Sequence, residues 1–190
     1  MNAASNVLTT AVSAPAAKLA KVLVLYALAE AQAGHATRID VLAEGHTFGV
    51  SDDGRGHSID KKIDGTHYLT FIYSQFEFPF ASPQPGAVQL QGIGMSLLNS
   101  LCSSLEVTVT RADQRLRLFF ESGVLMSQHR EPAVGAGTGN RIVGSVMTHE
   151  EASVAVSQAL AEWLTGLLHC VPTVCVTLNG QALLDSARSH

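Results

Sequence analysis

The sequence predicts an α+β fold, a two-layer α/β sandwich in which a mixed, mostly antiparallel sheet carries its helices on one face. Three observations lead there. Strand patterns follow one another through the middle of the chain instead of alternating with helices, which argues against a doubly wound parallel sheet. A long apolar stretch without Gly or Pro near the start, and a capped apolar stretch near the end, fit helices that cover such a sheet. The 190 residues are 46% hydrophobic and 15% charged, enough for one full core and no more. No internal repeat or linker marks a second domain. The expectation is a flexible segment over residues 1–15 and a single domain over 16–190.

The elements follow in order. Pro15 suits a first helical position, and Ala16 to Ala33 is apolar on nearly every face, so a mostly buried helix is predicted, stopped by Gly34-His35. Arg38 to Leu42 and Thr47 to Val50 read as strands around the turn Glu44-Gly45. Ser51-Asp52-Asp53-Gly54-Arg55-Gly56 reads as a tightly bent loop, because two glycines stand among acids. Tyr68 to Phe76 is a predicted helix, and Glu77 to Gly86, with Pro79, Pro83 and Pro85, a loop that cannot continue it. Gly92-Ile93-Gly94 opens a helix over Met95 to Cys102. Strands are predicted at Glu106 to Thr110, Leu116 to Glu121, Val124 to Gln128 and, after a Gly-rich stretch at 135–139, around Arg141 to Val146. Thr148 and Glu151 have capping-box spacing for a last helix to about Leu168, and Val171 to Leu178 is the closing strand.

Charge and cysteine usage narrow the function. A net charge of -4 with no dense Lys/Arg run offers no electrostatic footprint for direct nucleic-acid binding or for an anionic membrane. Cys102, Cys170 and Cys175 are too few and odd in number for a disulfide framework and read as reduced thiols, which points to a cytoplasmic location. Lys18, Lys21 and the run Val22 to Ala29 imitate a secretory signal, but a long uncharged stretch precedes them and the run is much shorter than the ~20 residues of a membrane span. A buried helix fits better.

Five local motifs in one order carry more specific information: Glu30-Ala31-Gln32-Ala33-Gly34-His35; Val50 to Gly56; Gln91-Gly92-Ile93-Gly94 with Ser96 to Leu101; Phe120-Glu121-Ser122-Gly123-Val124; and Thr138-Gly139-Asn140. Together they resemble the ATPase domain of the B subunits of DNA gyrase and topoisomerase IV, in the GHKL superfamily with its Bergerat fold. The resemblance runs from about Lys18 onward. It implies that Asp52 accepts a hydrogen bond from the adenine amine and that Gly54 and Gly56 let the backbone approach the base. It implies phosphate contacts from Gly92 and Gly94 at a helix N-terminus, and a nucleotide contact from Asn140 after Thr138-Gly139. Glu30 and Arg55 match an ion pair beside the pocket, and Arg117 an arginine at its rim. The implied cofactor is ATP or ADP.

The departures bear on mechanism. The resemblance places a general-base Glu and, one helical turn later, a magnesium-binding Asn at the positions of Val22 and Tyr26. Val22 cannot titrate, and a neutral phenol is a poor magnesium ligand, so magnesium use is in doubt. The acid before Glu30 is Ala29, the lid histidine is Gln91, the threonine after Thr-Gly is Asn140, and Gln75 to Val88 holds no lysine. The expectation is a stand-alone, degenerate nucleotide-binding domain without a transducer domain: a pseudo-ATPase with no catalytic residues of its own, binding an adenine nucleotide or another small ligand. Two alternatives stand beside it, an active ATPase with Glu30 as base and an interaction module that regulates or mimics gyrase or topoisomerase IV through a protein partner or homodimer.

Other groups read as structural. His169, Cys170 and Cys175 fall short of the four ligands of a structural zinc site, so no metal site is expected there. His35, His46, His57 and His67 lack a nucleophile and read as surface or hydrogen-bonded histidines. Phe71, Tyr73, Phe76, Phe78 and Phe80 read as core and lid packing.

Overall fold

The computed structural model describes residues 15–75, 94–147, 154–168, 171 and 173–183. Helix α1 (Pro15–Gln32) leads into strands β1 (Arg38–Glu44) and β2 (Thr47–Asp52). A small hairpin of β3 (Lys62–Ile63) and β4 (Thr66–His67) precedes the short helices α2 (Tyr68–Ser74) and α3 (Met95–Ser100). Then come β5 (Cys102–Arg111), β6 (Gln114–Glu121), β7 (Val124–Pro132), β8 (Gly139–Val146), helix α4 (Val154–Leu168), β9 (Cys175–Leu178) and β10 (Gln181–Ala182).

Eight strands form one sheet in the order β10-β9-β1-β2-β8-β5-β6-β7. Every pairing is antiparallel except that of β1 with β9. The strands alternate as a one-sided sheet requires. Leu105, Val107 and Val109 of β5 and Leu116, Leu118 and Phe120 of β6 are buried beneath the helices, while Glu106, Arg117 and Arg141 face the other side. Helix α1 supplies Leu19, Leu23, Val24 and Ala27 to the same core, and Lys21 lies 5.0 Å from the Trp163 ring of α4. Gly49 and Gly144 are small for a reason: a Cβ at Gly49 would meet Ile142 O at 2.9 Å, and one at Gly144 the Phe48 ring at 2.8 Å.

Several boundaries differ from the sequence expectation. Cys102 belongs to β5, not to the preceding helix, and β5 begins four residues before the predicted Glu106, with a bulge between Cys102 and Ser104. β7 continues past Gln128 to Pro132; as an edge strand exposed along most of its length, it lacks a hydrophobic alternation to mark its end. The closing strand starts at Cys175, not Val171; ahead of it Val174 N–H bonds Val171 O, a turn contact and not a strand pairing. The hairpin β3–β4 has no counterpart in the sequence expectation. The segment 1–14 and the Thr148–Glu151 capping box lie outside the described residues, as do Phe76, Phe78 and Phe80. Among the described residues no helix is long and apolar enough to cross a membrane.

Candidate functional site

The site is built on the end of β2, where Asp52 stands directly across from Asn140 of β8. The chain then turns through Asp53-Gly54-Arg55-Gly56, and several polar groups of the turn are held. Gly54 N–H donates to Asp52 Oδ1 at 2.9 Å, and Arg55 N–H to Glu30 Oε2 at 3.2 Å. Arg111 Nη1 donates to Gly56 O at 2.9 Å, and His57 N–H to Asn140 Oδ1 at 2.9 Å. Asp53 faces backwards. Its carboxylate accepts from the Thr37 and Arg38 N–H groups at 2.7 and 2.8 Å, which fastens the start of β1. Burial pushes the Asp53 carboxyl up, but these bonds outweigh it and the group rests below the usual aspartate range.

The glycines of the turn are required sterically. Gly56 has φ +70°, and a Cβ there would sit 2.7 Å from Thr110 O. At Gly139 a Cβ would come within 2.0 Å of Asp52 O. A Cβ at Gly54 would press on Asp52 Oδ1 at 2.8 Å. Gly94, by contrast, precedes α3 with φ −61° and open space around it, so nothing in the described structure demands glycine there. Gly92 lies outside the described residues.

A cavity of about 180 Å³ opens between α1, β2, β8 and α3. Leu23, Val50, Met95 and Ile142 give it apolar walls, while Tyr26, Glu30, Asp52, His57 and Asn140 are its polar groups. Asn140 Nδ2 approaches both oxygens of Asp52 at 3.2 and 3.3 Å. Desolvation raises the Asp52 carboxyl above its ordinary range, against the bonds from Asn140 and Gly54. The Glu30 carboxyl is held low by Arg55, whose Nε and Nη2 donate to its two oxygens at 3.1 and 2.8 Å.

The predicted site residues divide accordingly. Asp52, Gly56, Asn140, Tyr26 and Glu30 line the cavity, and Gly54 and Arg55 shape its rim. Val22 does not line it: it is half-buried and packs against the core, and the helical face toward the cavity runs through Leu23, Tyr26, Ala27 and Glu30. Arg117 and Thr138 are on the opposite side of the sheet. With Ser51, Thr108 and Arg141 they line a separate groove of about 380 Å³ that meets the cavity only at Asp52 and Asn140. Strand alternation accounts for this, since Leu116 and Leu118 take the helix side and leave Arg117 outside, 3.3 Å from Glu131.

Comparison with known proteins agrees with this geometry. No family model matches the chain. The B subunit of the chloroplast and mitochondrial DNA gyrase of rice is 36% identical over 104 residues, 51% of this chain and 14% of that protein. The B subunit of Salmonella typhimurium DNA topoisomerase 4 is 33% identical over 105 residues, 50% of this chain and 16% of that protein. In structure, the ATP-binding domain of Francisella tularensis topoisomerase IV, solved with a small-molecule inhibitor, superposes with TM-score 0.70 at 20% identity, covering 85% of this chain and 79% of that one. The 43K ATPase domain of Thermus thermophilus gyrase B, in complex with an aminocoumarin, gives 0.70 at 23% identity, covering 89% and 46%. Over about half of its length the chain is similar to B subunits of DNA gyrase and topoisomerase IV, and it shares the fold of their ATP-binding domains. It spans only about a seventh of the length of the rice gyrase protein.

The donor set at the cavity does not suit magnesium. The Glu30 carboxylate is engaged by three N–H groups of Arg55, and Tyr26 offers a phenol one turn before it. Among the described residues no three His, Cys, Asp or Glu side chains converge on a common point. Asp52 suits a hydrogen-bond donor better. A carboxylate has about four acceptor positions, and the long Asn140 contacts leave Asp52 Oδ2 room for another donor.

Sequence reasoning misses three residues of the site. Arg111 and Asp53 are silent in the sequence, because their partners are mostly backbone atoms: Gly56 O for Arg111, and the Thr37 and Arg38 N–H groups, with the Thr37 hydroxyl, for Asp53. His57 reads there like the other histidines. Its position directly after the second glycine of the turn is the signal that separates it from them.

Proposed function

We propose that this domain binds the base of an adenine nucleotide and does not hydrolyse the nucleotide efficiently. One observation carries the reading: Asp52 is fixed at the mouth of an apolar-walled cavity by Gly54 and Asn140, with acceptor capacity left over. A half-buried carboxylate raised by desolvation is costly to keep ionised, and an exocyclic amine would offset that cost by hydrogen bonding. At about 180 Å³ the described cavity is smaller than the roughly 300 to 1,000 Å³ of ordinary ligand pockets, and so suits a base better than a whole nucleotide.

The case against efficient hydrolysis rests on the resemblance and on side-chain chemistry. Positions 22 and 26 carry Val and Tyr, so neither a general base nor a magnesium amide is supplied from α1. General-base assistance alone is worth about 10²- to 10⁴-fold. Glu30, the acid nearest those positions on the helix, is a poor substitute because Arg55 holds its carboxyl below the ordinary range and so weakens it as a base.

Calorimetric titration with adenosine, ADP and ATP, with and without magnesium, tests the reading. Affinity should rest on the base, change little with phosphate number or magnesium, and be accompanied by no turnover above background. Magnesium-dependent hydrolysis that disappears in Glu30→Gln would establish the active-ATPase alternative. Absence of any binding at millimolar ligand would put the interaction module first.

A further inference from the structure

The turn that joins β9 to β10 is Asn179-Gly180, and no other asparagine of the chain is followed by glycine. Both residues are at positive φ, 49° and 79°, as a two-residue antiparallel connection requires. The Asn179 carboxamide is engaged at both ends. Its Oδ1 accepts Ala43 N–H at 2.8 Å and its Nδ2 donates to Ala43 O at 3.2 Å, so it clamps the exposed turn to the backbone of β1. Asn179 N–H adds a bond to Val41 O at 2.8 Å. Gly180 is unhindered: nothing stands within 4 Å of where a Cβ would be, and its N–H has no partner among the described residues.

We propose that Asn179-Gly180 is a site of spontaneous covalent modification, deamidation to aspartate and isoaspartate, which the clamp on Ala43 restrains. The Gly180 nitrogen attacks Asn179 Cγ. The new N–C bond replaces the Cγ–Nδ2 bond, Nδ2 leaves as ammonia with the proton of the Gly180 nitrogen, and a five-membered succinimide remains. Water then opens that ring at either carbonyl, giving aspartate or isoaspartate at 179, with no change of oxidation state.

Two features set the rate. A glycine on the C-terminal side leaves the attacking nitrogen unshielded, which makes the dipeptide reactive in an open chain. In the folded domain Cγ reaches that nitrogen only after the bonds to Ala43 break, so modification proceeds through local opening of the β9–β10 margin. The product cannot restore the clamp. An aspartate carboxylate has no N–H for Ala43 O and sets a negative charge against that carbonyl, and isoaspartate adds a carbon to the backbone path of the turn. Deamidation is therefore a one-way release of β10 and of the end of β9 held beside β1.

The test incubates the whole chain at pH 8.5 and follows residue 179 by peptide mapping, with mass spectrometry for the amide-to-acid change and an isoaspartate methyltransferase for the isomer. Conversion should be at least about tenfold faster in guanidinium-unfolded protein than in native protein. Thr177→Val, which keeps shape but removes the hydroxyl bond to Asp40 beside the turn, should speed native conversion at least about threefold. No conversion at Asn179 in the unfolded chain would overturn the site. Equal rates in native and unfolded protein would overturn the restraint by Ala43. The consequence is read separately in Asn179→Asp, where hydrogen exchange at Ala43 N–H should rise at least about fivefold while β5 and β8 keep their protection. Unchanged exchange at Ala43 would overturn the release.

Discussion

Asp52 and Glu30 are two carboxylates at one cavity with opposite energetics. Asp52 is raised by burial, so its ionised form is a burden on the fold that a ligand relieves. Asp52→Asn should therefore weaken adenosine at least about tenfold, the equivalent of roughly 1.5 to 3 kcal/mol for a bond to a charged group, without lowering the melting temperature at pH 7. Equal losses of binding and thermal stability would mean that Asp52 is a structural residue. Glu30 is lowered by Arg55 and contributes in the other direction. Its stabilisation is complete above the unfolded-state value near 4.5 and disappears as pH falls through the lower folded value. The stability difference between wild type and Arg55→Ala in urea should thus be constant above about pH 5 and shrink toward pH 3. A difference independent of pH would sink the ion-pair account.

At the scale of elements, the turn after β2 is where the glycines separate into two kinds. Gly56→Ala and Gly139→Ala force a Cβ onto backbone oxygens at positive φ and should each cost more than about 2 kcal/mol, measured by chemical denaturation. Gly94→Ser meets open space and supplies an N-cap hydroxyl to α3, so it should be neutral or stabilising by about 0.5 kcal/mol. The same contrast bears on what could be read from the sequence. Asp52, Gly56 and Asn140 could be placed together because motif order stood in for three-dimensional proximity. Motif order is silent about faces, so Arg117 and Thr138 could not be assigned to the outer side without the register of β6 and β8. Helix α1 was legible from its composition alone, but which residues of its continuous apolar surface meet the cavity was not; Leu23 and Val22 look alike until β2 is in place. The hairpin at Asp64-Gly65 did carry a signal. Both residues are at positive φ, 48° and 82°, and Asp-Gly is the sequence that a two-residue strand connection favours.

For the whole molecule, the sheet should have a stability gradient from centre to margins. β8 and β5 are paired on both sides, and Val107 and Val109 are fully buried, whereas β7 and β10 each have one neighbour. Amide exchange should be slowest in β5 and β8 and fastest in β10 and the outer half of β7. Uniform protection across the sheet would contradict this. The one parallel pairing among the described residues, β1 with β9, has a consequence for how the chain is made. Thr177, whose hydroxyl donates to Asp40 Oδ1 at 2.6 Å, marks where β9 locks in, and the two residues are 137 positions apart. All the strands between them leave the ribosome first, so one flank of β1 faces an unfilled lane of the sheet while the rest is being synthesised. Until β9 arrives the nascent chain exposes a sticky strand margin, and the cellular yield of this domain should depend on how quickly the residues after β8 are translated, more than on how stable the finished fold is.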